Sequence, residues 1–161
     1  MILRNWNYIL FVLSFFTIIV ALIAEYFYGL QPCELCLKQR HPYYLFIVIL
    51  LFTFFIAAVF KLYIFILVQL GAAYGLFYSI WHVGVEKNLI KGPSGCSSGL
   101  AISTNTADLK AQILNKQVIS CDEVIWSIFG LSAASINTIV LLFIFIINAL
   151  YIYFSYAKKK D

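Results

Sequence analysis

The stretch PYYLFIVILLFTFFIAAVFKLYIFILVQLGAAYGLFYSIWH, residues 42–82, is apolar almost without a break. One helical crossing of a bilayer needs about 20 residues, and this stretch holds roughly twice that, so it reads as two crossings. The one charge inside it is Lys61. A lone lysine at mid-bilayer is costly, so the chain is expected to turn there, very tightly, at a membrane surface.

Two further apolar runs lie outward of this pair. Tyr8 to Ala24 follows Arg4 and ends at Glu25, and a run from about Leu131 to Tyr156 stops at Lys158, Lys159 and Lys160. The first run is longer than a signal-peptide apolar region, and Leu22 and Ala24 make no small-x-small cleavage site, so it is expected to be retained. The spans are placed at about 8–26, 42–60, 62–82 and 131–156, with loops at about 27–41 and 83–130. The fold class is therefore all-α, an integral membrane four-helix bundle filling residues 1–161 as one domain.

The composition agrees. Of 161 residues, 63% are hydrophobic and 11% charged, which leaves no soluble second domain. The net charge of +4 is scattered except beside the last run, which reads as a membrane-flanking anchor and not as a nucleic-acid face. In the long second loop, Gly92-Pro93-Ser94-Gly95 marks a turn. Asp108 to Gln117 places Leu109, Ile113 and Leu114 at helical spacing, with capping side chains available in Thr104 to Thr106, and is predicted to be a short amphipathic surface helix.

Arg4, Lys61 and Lys158 to Lys160 put five of the eleven basic residues into three very short segments on one face. By the positive-inside rule that face is cytoplasmic, both termini included. The four cysteines, Cys33, Cys36, Cys96 and Cys121, then all fall on the extracytoplasmic side, where disulfides persist.

Cys33 and Cys36 form a CxxC in the first loop, just before Arg40 and Pro42. Proline tolerates helix only in its first turn, so the second helix is expected to begin no earlier than about Lys38, with Cys36 just ahead of its N-terminus. The helix dipole and Arg40 would then favour a thiolate on Cys36. The other readings of the pair are a structural disulfide or half a zinc site, and for Arg40 a snorkelling headgroup anchor. A disulfide between Cys96 and Cys121 would close a loop of about 26 residues, as a structural staple or, given the small residues around Cys96, as a bond open to attack by another protein's thiolate. Trp81 reads as an interfacial belt residue, and His82 and Glu86, one turn apart, as a polar pair or a solvated helix end.

Taken together, Cys33-Glu34-Leu35-Cys36 with Gln39-Arg40, His82 to Glu86 ahead of Pro93-Ser94-Gly95-Cys96, and Cys121-Asp122-Glu123 running to Trp126, Phe129-Gly130-Leu131-Ser132 and Asn137 resemble the disulfide bond formation protein B (DsbB) family over nearly the whole chain. Its members reoxidise a DsbA-like thioredoxin-fold dithiol oxidase in the bacterial periplasm and pass the electrons to a quinone. The resemblance implies an enzyme of the bacterial inner membrane, a quinone-dependent protein-disulfide oxidoreductase using ubiquinone or menaquinone. It implies that the partner's dithiol attacks Cys96 and releases Cys121, that electrons pass to Cys33–Cys36, and that Cys36 delivers them to quinone. It places Arg40 beside the quinone and His82 and Glu86 near the quinone head, with no metal. A vitamin K epoxide reductase-type protein shares a four-helix core, a CxxC and a quinone but carries its CxxC on a later helix. A non-catalytic membrane protein with two structural disulfides, or a zinc-binding one, remains the reading of another class.

Overall fold

The computed structural model describes residues 5–53, 61–93, 121–122, 124, 126–128 and 130–160, with side chains through Ala157. The Cys96 turn and the predicted 108–117 surface helix lie outside the described residues. Four long helices make up almost all of the described chain: α1 (Trp6–Tyr26), α2 (Glu34–Phe52), α3 (Lys61–Glu86) and α4 (Ala133–Lys160). Only a two-residue hairpin, Ser127–Ile128 against Leu131–Ser132, adds to the all-helical reading, and it turns at Gly130 in the left-handed region (φ 79°).

α1, α3 and α4 are each long and apolar enough to cross a bilayer, with mean hydropathies of 2.4, 1.6 and 2.3. Large apolar side chains such as Phe16, Leu70, Phe77 and Phe154 point outward along them, which water would not tolerate and lipid does. α3 packs against both α4 and α2, and α1 against α2. Between them Trp6, Leu10, Phe46, Leu50, Phe65, Val68, Leu141 and Ile144 form the core. Gly71 and Gly75 let α2 approach α3 closely, since a Cβ on Gly75 would lie 2.7 Å from the Pro42 ring.

α2 departs from expectation at its start. It begins at Glu34 and runs through Pro42, which is buried inside it. Proline's missing N–H and its bulk are tolerated within a helix where packed neighbours hold it, and here the ring is seated against Gly75. The early start makes Cys33, not Cys36, the N-cap.

At its other end α3 closes in a Schellman turn: Asn88 takes a positive φ of 55°, Asn88 N–H donates to the Val85 carbonyl and Leu89 N–H to that of Gly84. His82 and Glu86 are thereby fixed on the last two turns, beside the start of α2. α4 is capped by Ser132, whose Oγ accepts the Ser135 N–H at 3.2 Å. Three helix ends thus converge on one place.

Candidate active site

Cys33 is nearly fully buried, and its Sγ is the acceptor at the head of α2. It receives the Cys36 backbone N–H at 3.3 Å, lies 3.1 Å from Cys36 Sγ, and faces His82 Nε2 at 3.7 Å. The two cysteines are free thiols on one turn, close enough that forming or breaking their bond needs only side-chain motion. Such an arrangement holds one negative charge well and two badly. The Cys36 thiol hydrogen bond, then His82 and the cap N–H, hold Cys33 well below the ordinary thiol range, to about 4, against the opposing effect of burial. The same hydrogen bond, with burial and the Cys33 charge, pushes Cys36 up. The thiolate of the reduced pair therefore sits on Cys33, and the sequence expectation of a Cys36 thiolate is corrected by the earlier helix start.

Cys121 is fully buried and disulfide-bonded. It packs in one cluster with Cys33, Leu35 and Val85, and Cys36, Tyr78 and Trp81 lie against that cluster. Two cysteines from separate loops are thus brought together. Cys96 lies outside the described residues.

On the Cys36 side of the dithiol lies a cavity of about 290 Å³ between α1, α2 and α4. Its wall is mostly aliphatic, and its polar lining includes Cys36, Gln39, Arg40, Tyr43 and Asn137. Arg40 is paired at Nη1 with Glu25 of α1 at 2.5 Å, and its Nη2 donates to the Ala21 carbonyl at 3.4 Å. The guanidinium is held in place by that carboxylate.

His82 and Glu86 do not line this cavity. His82 stands on the Cys33 side, bonded through Nδ1 to Gln39 Nε2 at 2.8 Å. Glu86 accepts from Ser132 Oγ and lies 4.0 Å from His82 Nε2, so it braces α4 against α3. The sulfurs of Cys33 and Cys36 and a ring nitrogen of His82 lie within 4.8 Å of one another, a spacing that a soft cation could bridge, with three such donors gathered among the described residues where structural zinc takes four.

The sequence by itself assigns no role to Gln39, Tyr43, Asn137 or Glu25. Asn137, a polar side chain within an apolar run, was the available signal for a functional position.

The DsbB model, described as disulfide bond formation protein DsbB, matches residues 3–151. The chain belongs to the DsbB family. It is 28% identical over 145 residues to a disulfide bond formation protein B of Methylobacillus flagellatus, covering 84% of both chains. It is also 26% identical over 155 residues to an uncharacterized protein of Rickettsia prowazekii, covering 95% of this chain and 90% of the relative. No solved structure matches it. As a DsbB-family membrane protein, the chain is a disulfide-forming oxidoreductase.

Proposed function

We propose that the chain reoxidises a DsbA-like periplasmic dithiol protein and hands the electrons to a membrane quinone. The observation that carries this reading is the position of the dithiol, with Cys33 against disulfide-bonded Cys121 and Cys36 in the wall of an apolar cavity beside Arg40.

In this reading a donor thiolate attacks Cys96 of a Cys96–Cys121 disulfide, and the resulting Cys121 thiolate attacks an oxidised Cys33–Cys36 bond at Cys33. Cys36 leaves as the thiolate. With Cys33 tied into the mixed disulfide, the charge that rests on Cys33 in the free dithiol moves to Cys36, facing Arg40 and the cavity. Each exchange forms one S–S bond and breaks one, so only the last step needs an electron acceptor.

The cavity fits a quinone head: it is largely apolar, near the small end of ligand-pocket volumes, and supplies the Arg40 cation at its wall. Cys36, Arg40, Gln39 and Asn137 would hold it, and when bound it would take up the two electrons and two protons of one dithiol. Arg40 orients and attracts, while His82 and Glu86 support the Cys33 side. The reading also has α2 as the fourth crossing of a four-helix bundle in the inner membrane, both termini cytoplasmic and the cysteines periplasmic.

The test is quinone reduction by purified protein supplied with a reduced thioredoxin-fold donor. Reduction is expected, and is expected to vanish in Cys36→Ala. Stoichiometric zinc in the purified protein, with no quinone reduction, would replace this reading with a metal site.

A further inference from the structure

The His82 ring has two nitrogens, and which of them carries hydrogen decides what Cys33 meets. A chain of hydrogen bonds that starts at a backbone carbonyl answers this. The Ala134 carbonyl can only accept, and it receives Thr138 Oγ1 at 2.8 Å and Ser79 Oγ at 3.3 Å. Ser79 and Thr138 are also 2.8 Å apart. The single hydroxyl hydrogen of Ser79 is therefore used toward Thr138 or Ala134, and its oxygen is left to accept.

What faces Ser79 from Asn137 must then be the NH2, at 3.3 Å. The same NH2 donates to Gln39 Oε1 at 2.8 Å, and the Asn137 Oδ1 accepts the Tyr43 hydroxyl at 2.6 Å. Gln39, with its oxygen so engaged, turns its own NH2 to His82 Nδ1. A nitrogen that accepts carries no hydrogen, so in the uncharged ring the hydrogen is on Nε2, the atom facing Cys33 Sγ.

We propose that Gln39, itself oriented by Asn137, is a positioning residue that fixes the His82 imidazole with its hydrogen on Nε2, donating to Cys33. The inference rests on the reading of Cys33 as the working thiolate, and it assigns Gln39 and Asn137 a task in the chemistry that neither performs by touching sulfur. The charged groups around the ring are the Cys33–Cys36 pair on α2, Arg40 one turn beyond Cys36, and Glu86 on α3 at 4.0 Å from Nε2.

The experiment is 15N NMR of histidine-labelled, reduced protein, with His41→Gln leaving His82 as the sole histidine. The unaltered position 39 should give a protonated Nε2 and a bare Nδ1. Gln39→Glu, which has the same shape but no donor, should exchange the two resonances, placing hydrogen on Nδ1. Asn137→Ala, which frees the Gln39 amide to turn over, should give a mixture. Nδ1-bound hydrogen with Gln39 present, or an unmoved pattern in both variants with native helix content, would overturn the proposal. No donor protein or quinone is present in the measurement, so a failure of the relay reading would leave the tautomer result standing.

Discussion

The two ends of the helices hold buried polar clusters of similar size that are built to different ends. At the Lys61 end, Asn148 of α4 accepts from Trp6 Nε1 of α1 and donates to the Phe65 carbonyl and to Gln69 Oε1 of α3, while Gln69 donates to the Phe145 carbonyl. Every bond there closes on the backbone or on another member, and none reaches a reactive atom. At the cysteine end, Tyr43, Asn137, Gln39 and His82 form an open chain with a cavity at one end and a thiolate at the other. Closed networks staple helices where lipid gives them no hydrophobic reason to associate. An open one transmits an orientation.

The largest expected effect separates these roles by stability. Asn148→Leu leaves the Trp6 N–H and the Gln69 oxygen without a buried partner and should cost about 1–3 kcal/mol. Thermal unfolding in detergent should show the loss, while thiol exchange at Cys33 stays at its original rate. If exchange falls with stability, the two ends are not independent.

A smaller effect is expected at the open end, in reactivity. With its pKa lowered to about 4 from an ordinary thiol's value near 9, Cys33 should stay ionised as pH falls from about 8 to about 5 and lose charge only below that. Its alkylation rate should be flat over that range, read by mass mapping of the modified peptide. His82→Ala removes the ring that faces the Cys33 sulfur and favours its charge, so the decline should begin at higher pH, with about tenfold less thiolate for each unit of pKa regained. A flat profile unchanged by the substitution would show that the cap and Cys36 suffice.

Arg40→Gln should have the smallest effect. Its charge is already shared with Glu25, so apparent quinone affinity should weaken only about fivefold, the equivalent of about 1 kcal/mol. Restoration by Glu25→Gln in the same protein would mean that the pair, and not the cation, shapes the cavity.

Much of this architecture was legible in the sequence because lipid imposes length and apolarity. Expected spans at 8–26, 62–82 and 131–156 correspond to Trp6–Tyr26, Lys61–Glu86 and Ala133–Lys160, and Lys61 does open α3. α2 starts earlier than its sequence implies, because a proline rule drawn from isolated helices gives way to tertiary seating of Pro42 on Gly75. The earlier start moves the cap by three residues, and with it the thiolate. The cysteines and Arg40 were visible as chemistry. The tasks of Gln39, Asn137 and Glu25 were not, since each depends on a partner in another helix, from 15 to 98 residues away.

In the proposed relay Cys33 works directly against Cys121, with Cys36 turned to the cavity. Disulfide mapping of purified Cys36→Ala protein tests it most directly, because the Cys33 thiolate then loses its neighbouring thiol and is left facing disulfide-bonded Cys121. A Cys33–Cys121 bond with Cys96 released as a free thiol is the expected result. An intact Cys96–Cys121 bond beside a free Cys33 in every molecule would contradict it.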